Sequence, residues 1–146
     1  MSAGQPRSRR VLVVCLGNHC RSPLAAAALA RHGPPGTEVR SAGLAGKHQG
    51  KPAHPAMIKA AAALGYDLTG HAGTQLTTGM LDWADLVLAM DTAVLAELRK
   101  LAGDRATPEL RLYLGEHDVP DPWGHDPRAF AACARLIDTA ARQQAH

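Results

Sequence analysis

The stretch Val11-Leu12-Val13-Val14-Cys15-Leu16-Gly17-Asn18-His19-Cys20-Arg21-Ser22-Pro23 joins two segments of opposite character. Val11 to Val14 is a continuous apolar run that reads as a buried strand, Val11–Cys15, ending at a cysteine. Pro23 presets the backbone angle of a first helical turn and opens an Ala/Leu run. That run predicts a helix to His32, ended by Gly33-Pro34-Pro35-Gly36. A strand-to-helix junction collects free N–H groups and the positive end of the helix dipole, and so binds anions. Here the junction also carries a thiol and, in Cys-x5-Arg spacing, a guanidinium. Chemistry that needs both a thiolate and an oxyanion cradle is phosphoryl transfer through a phosphocysteine.

Outward from this junction, Val39–Ser41 predicts a short second strand, and residues 43–55 an irregular loop. Ala56–Leu64 reads as a helix stopped by Gly65, Asp85–Met90 as a third buried strand, and Thr92–Leu101 as a helix. Leu110–Leu114 suits a fourth strand and Asp126–Gln143 a closing helix. Strands alternating with helices imply an α/β fold with a parallel sheet and right-handed crossovers. Sites in such folds lie beyond the carboxyl ends of strands, which here means Cys15. Residues 1–9 read as a flexible leader and residues 10–143 as one domain.

At 146 residues the chain is long enough for one real core. Aromatic residues are few (one Phe, two Tyr, two Trp), so that core must be built mainly from Ala, Leu and Val. The net charge of +3 is mild, and the basic residues are scattered apart from Arg7, Arg9 and Arg10. Nucleic acid is therefore not an expected partner, whereas a small anionic substrate is compatible. Three cysteines make no disulfide scaffold, so a reducing cytoplasmic setting is expected. The run Val11–Gly17 is too short for a secretory signal, and no stretch approaches a membrane span.

A free thiol ionises near pH 8.5, lower at a helix N-terminus or beside a cation, so Cys15 is expected to serve as a thiolate nucleophile. Arg21 can hold two phosphoryl oxygens with its planar fork, and the backbone from Leu16 to Cys20 can supply donors to the equatorial oxygens. The Ser22 hydroxyl can donate to the sulfur as it leaves. Gly17 and Asn18 suit the left-handed backbone of a tight loop. Cys-x5-Arg also arises by chance around a buried strand-end thiol, but the strand before it and Ser22-Pro23 after it favour the anion loop. A nucleotide-binding loop is excluded, because Gly46-Lys47 and Gly50-Lys51 lack the following hydroxyl. Cys15 and Cys20 lack zinc-site spacing, so neither a metal nor another cofactor is expected. Downstream, Val119-Pro120-Asp121-Pro122-Trp123-Gly124 holds Asp121 on a stiff loop. It can protonate the leaving oxygen and then activate water, with Trp123 walling off a dry pocket that keeps the acid protonated. An ordinary turn aspartate is the plainer reading of that loop taken alone.

With these residues in place, the chain resembles the low-molecular-weight protein tyrosine phosphatases from Arg10 to about Ala140. The resemblance rests on Cys15 to Pro23, on Asp121 to Trp123, and on Ser41-Ala42-Gly43, Gly70-His71 and Ala89-Met90-Asp91 between them. It implies a single four-stranded parallel sheet flanked by helices on both faces, with the phosphate loop between strand 1 and helix 1. It implies metal-independent phosphomonoester hydrolysis with Cys15 as nucleophile, Arg21 as clamp and Asp121 as general acid. Asn18, Ser22, Ser41 and His71 would hold the loop and the thiolate, and Cys20 would be a reversible disulfide partner for Cys15. The expected partners are a phosphorylated protein or small phosphorylated substrate, with inorganic phosphate as product and inhibitor. The chain is expected to act as a monomer or weak dimer.

The departures from the family pattern fall at the substrate rim: His19 replaces an apolar residue and Lys47 an aromatic one. His54 stands where an acid is usual, and Val94 where Asn is typical. Two readings follow. In one, Lys47, His48 and His54 form an inconsequential solvated loop, with Trp123 supplying the ring contact. In the other, a more basic mouth accepts phosphoarginine or an anionic metabolite. A thiol-dependent arsenate reductase would share the loop but needs relay cysteines. Cys133, set among alanines, reads as core instead. A phosphate-binding module without turnover is the remaining alternative.

Overall fold

β1, Arg9–Cys15, is the strand on which the architecture turns. From Val11 onward it is fully buried, because its side chains alternate between two separate cores. Val11, Val13 and Cys15 pack on one face, together with Leu24, Phe130 and Ile137. Leu12 and Val14 pack on the other, with Leu81, Leu95 and Leu98. Complete burial of each such side chain stabilises the fold by about 1.5–3 kcal/mol.

The computed structural model describes residues 9–105 and 108–143. After β1 come α1 (Arg21–His32), β2 (Thr37–Gly43), α2 (Pro55–Ala63), α3 (Thr78–Trp83) and β3 (Leu86–Ala89). α4 (Thr92–Ala102), β4 (Glu109–Leu112) and α5 (Pro127–Gln143) complete the order. The four strands form one parallel sheet in the order β2-β1-β3-β4. Helices α1, α2 and α5 cover one face, and α3 and α4 the other. The chain leaves β1 toward β2 on one side and later returns to β3 on the other, so a crevice opens between the carboxyl ends of β1 and β3. Val119 donates a 2.7 Å hydrogen bond to the Met90 carbonyl just beyond β3, bringing the segment that bears Asp121 to that crevice.

The expected elements are present with shifted ends. α1 starts at Arg21 rather than Pro23, β2 extends over Thr37–Gly43, and the fourth strand stops at Leu112. α3 was not anticipated. It is a six-residue helix, capped by the Thr77 side chain, that hides a single residue, Leu81, and is too short to show a period. The irregular 43–55 loop is held by single bridges from Gly43 to Gln75 and from Gln49 to Gly73. Arg9 already belongs to β1, and the leader reading of residues 1–8 lies outside the described residues. No helix among the described residues is long and apolar enough to cross a membrane.

Candidate active site

Cys15 ends β1, and α1 begins six residues later with no side-chain cap from Cys20, leaving its first-turn N–H groups for another acceptor. Between them the loop folds around the sulfur. The Asn18 N–H donates to Cys15 Sγ at 3.2 Å, and Ser22 Oγ lies 2.9 Å from the same sulfur. Because Ser22 Oγ accepts from Asn18 Nδ2 at 2.8 Å, its own proton is free to point at sulfur.

Asn18 is the hub of the loop. Its φ is 52°, the left-handed region that Asn tolerates. Its Nδ2 also donates to Ser41 Oγ at 3.0 Å, its Oδ1 accepts from the Thr74 N–H at 2.9 Å, and its carbonyl accepts from His71 Nε2 at 2.9 Å. Ser41 and His71 thus both hydrogen-bond to Asn18. Gly17, in contrast to the expectation, is not among the positive-φ residues. Its lack of a side chain matters for space, since a Cβ there would sit 3.0 Å from the His48 ring. Gly43 is tighter still: a Cβ would lie 2.6 Å from both Asn18 N and Gly17 C.

Arg21 is 2% exposed and buries its guanidinium under the loop. It donates to Asp91 Oδ2 and to the Val119 carbonyl, both at 2.8 Å, and lies 3.7 Å from Asp121 Oδ2. Burial opposes its charge, but the Asp91 hydrogen bond and the charges of Cys15 and Asp121 outweigh that and raise its pKa. Asp91 and Val119 were given no role from sequence. Asp91 could have been found as an N-cap aspartate directly after a buried strand, and its side chain does cap α4 through Val94 N–H. The Val119 carbonyl carries no sequence signal.

A cavity of about 250 Å³ opens on this assembly, lined at its base by Cys15, Gly17, Cys20 and Arg21, and at its mouth by Leu16, His19, Lys47, His48, Asp121 and Trp123. His19, Lys47 and Trp123 are thus brought to one cavity with Cys15. Trp123 does not wall off Asp121, however. Trp123 is 54% exposed and the Asp121 side chain 44% exposed, and Asp121 Oδ1 accepts a 3.0 Å hydrogen bond from the backbone N–H of Trp123 rather than from its ring. Gly124 follows with φ 81°, in the left-handed region that glycine favours.

The rim also departs from the solvated-loop reading. His48 stacks on His19 with centroids 3.8 Å apart and planes 5° from parallel. His54 meets His19 edge-on, packs on Phe130 at 4.6 Å and caps α2 by accepting from the Ala56 N–H. Burial, then the neighbouring His48 and His54, push the His19 pKa down to about 4. Burial and the nearby Lys47 and Lys51 lower that of His48. At neutral pH the stacked pair is uncharged, so the rim is less basic than its residue types suggest. Lys47 supplies the cation, 5.4 Å from the Trp123 ring centroid.

All three cysteines are free and buried. Burial pushes the thiols of Cys20 and Cys133 up to about 12. Cys133 belongs to the core, as expected, and is no candidate for a relay thiol.

The chain is similar to known proteins over most of its length. A probable low molecular weight protein-tyrosine-phosphatase, EpsP, of Ralstonia nicotianae is 37% identical over 130 residues, 88% of each chain. Vibrio vulnificus Wzb in complex with benzylphosphonate superposes with a TM-score of 0.86 at 33% identity, over 94% of this chain and 97% of that one. The YwlE arginine phosphatase of Geobacillus stearothermophilus superposes with a TM-score of 0.84 at 30% identity, over 94% and 90%. The family model for low molecular weight phosphotyrosine protein phosphatase matches residues 10–146, and the chain belongs to that family.

Proposed function

We propose that this chain hydrolyses phosphomonoesters through a phosphocysteine, with phosphotyrosine in proteins as its substrate class. The observation that carries the reading is the placement of Cys15, Arg21 and Asp121 around one cavity, with the Arg21 guanidinium 3.7 Å from the Asp121 carboxylate.

The phosphate enters with its three non-bridging oxygens toward the loop N–H groups from Leu16 to Cys20 and the Arg21 fork. The Cys15 sulfur attacks phosphorus in line with the ester oxygen, forming the S–P bond as the P–O bond breaks. Asp121 gives its proton to the departing alcohol or phenol. Asp121, now a carboxylate, takes a proton from water, which attacks phosphorus and breaks the S–P bond. The Ser22 hydroxyl donates to the leaving sulfur at 2.9 Å, and inorganic phosphate departs. Asn18, Ser41 and His71 keep the loop in shape, and His19, Lys47 and Trp123 form the substrate rim. We further assign Cys20 as the redox partner of Cys15, residues 10–143 as the working domain and the cytoplasm as its compartment. No specific observation favours the reductase reading, since Cys133, the further thiol such a relay would need, is buried in the core.

The test compares wild type, Cys15→Ser and Asp121→Asn on p-nitrophenyl phosphate, a phosphotyrosine peptide and a phosphoarginine peptide, with chelator present. Turnover should vanish in Cys15→Ser and fall by about 10²–10⁴ in Asp121→Asn on the peptide. Added phosphate should inhibit competitively. Turnover confined to phosphoarginine would keep the mechanism and move the substrate class. No turnover by reduced, folded wild type would end the phosphatase reading.

A further inference from the structure

The stretch of sequence that carries Lys47 and His48 is one-sided in charge. From Val39 to Tyr66 there is no aspartate or glutamate, while Arg40, Lys47, Lys51 and Lys59 all fall within it. Lys47 is exposed, its ammonium rests near the Trp123 ring, and among the described residues it has no carboxylate within ion-pair distance. Asp121 is the carboxylate lining the cavity, and it is already engaged by Arg21 and the Trp123 N–H. An anion that pairs with Lys47 must therefore arrive with the substrate. The indole contact holds the ammonium at the mouth, which reduces the entropy lost when a partner binds.

The hydrophobic surface indicates what kind of substrate brings that anion. Leu16 and Trp123 are 55% and 54% exposed, and both flank this cavity. Apolar lining that stays this exposed to solvent suits a polypeptide whose neighbouring residues spread over the rim, rather than a small molecule enclosed within it. Beside it, the stacked His19 and His48 rings form an aromatic wall of the cavity. A phenyl ring is neutral against that wall and leaves Lys47 free. A phosphorylated guanidinium brings its own positive charge toward Lys47 and finds no unengaged carboxylate in the cavity lining.

We propose that Lys47, held against Trp123 beside the His19–His48 stack, is a specificity-determining residue that selects phosphotyrosine flanked by acidic side chains. This inference rests on the phosphatase reading and deepens it. The discriminating quantity is the ratio of kcat/KM between peptides within one variant, so any general effect of the substitution cancels.

The experiment uses three phosphotyrosine peptides differing only in their flanking residues (all Glu, all Ala, all Lys), with wild type, Lys47→Gln and Lys47→Glu. Wild type should favour the Glu peptide over the Lys peptide by about 5- to 10-fold at low salt, through KM, which is the size of one or two exposed ion pairs. The preference should shrink at 0.5 M salt. Lys47→Gln should flatten it and Lys47→Glu invert it. Equal kcat/KM for the three peptides in wild type, or a preference that survives unchanged in Lys47→Glu, overturns the proposal while leaving the phosphatase reading intact. Failure of wild type to hydrolyse p-nitrophenyl phosphate removes both.

Discussion

Arg21 and Asp91 form a 2.8 Å ion pair that is buried almost entirely on the arginine side, with side chains 3% and 22% exposed. The same aspartate caps α4 with its other oxygen, so one residue couples the clamp at the end of β1 to the helix that follows β3. Asp91→Ala should cost about 3–5 kcal/mol by stranding a buried guanidinium, plus about 1 kcal/mol for the lost cap. Asp91→Asn retains an oxygen for the cap and should lose less stability. Yet Arg21 should still shift, and kcat/KM should fall by about 10- to 100-fold. Urea unfolding alongside kinetics separates the two effects. Equal activity in Asp91→Asn and wild type would remove the positioning role.

The hub position of Asn18 makes a second contrast. Asn18→Ala deletes the partners of Ser22, Ser41 and the Thr74 N–H and also places a Cβ residue at φ 52°. Asn18→Gly deletes the same bonds without the left-handed strain. Both should be inactive or nearly so, and the glycine variant should be the more stable by about 1–2 kcal/mol. An alanine variant as stable as the glycine variant would mean that the loop relaxes out of the left-handed region.

Much of this was written in local pattern. The run Val11–Val14 and the alternation of strands with helices carry the architecture, because a strand buried on both faces must be apolar throughout. Cys15, Arg21 and Asp121 were legible because thiol, guanidinium and carboxylate each sit in a stiff, recognisable context. The rest was hidden for particular reasons. Whether His19 and His48 are charged depends first on how deeply the fold buries them, and residue type says nothing of it. The requirement for glycine at position 43 arises only where β2 presses on the phosphate loop.

The lowered His19 pKa sets a pH window. Folded His19 titrates near 4 and an unfolded histidine near 6.5, so between these values the unfolded chain binds more protons. Its contribution to stability is therefore complete above pH 6.5 and declines as pH falls toward 4. Allowing for solvent screening at this partly exposed site, the loss should be about 1–2 kcal/mol. Unfolding free energies at pH 7 and pH 4.5 should differ less, by that amount, in His19→Leu than in wild type. Identical differences in the two proteins would show that His19 is not held neutral by the fold.

Thiol chemistry should be confined to the cavity. Burial keeps Cys20 and Cys133 un-ionised at pH 7, so iodoacetamide on the native protein should give one adduct, at Cys15, suppressed by phosphate. After brief peroxide treatment, activity should return with dithiothreitol in wild type and return poorly in Cys20→Ser, where nothing intercepts the sulfenic acid. Full recovery in Cys20→Ser would dismiss Cys20 as the redox partner.

Gly43 offers the sharpest test of how the sheet shapes the loop. A methyl group at Gly43 would press on backbone atoms of Gly17 and Asn18 at 2.6 Å, and backbone cannot swing aside as a flexible side chain can. Gly43→Ala should therefore displace the N–H that faces Cys15 Sγ, lower kcat by at least about 10-fold and cost about 1–3 kcal/mol. Gly103→Ala is the matched control. It lies at the end of α4 with φ 59°, open space around it and no contact with the cavity, so it should lose about 1–3 kcal/mol with kcat unchanged. Two variants of similar stability and different kcat would locate the effect of Gly43 in loop geometry. Equal kcat in both would mean that the loop tolerates displacement at Asn18, and the close approach of β2 would then serve stability alone.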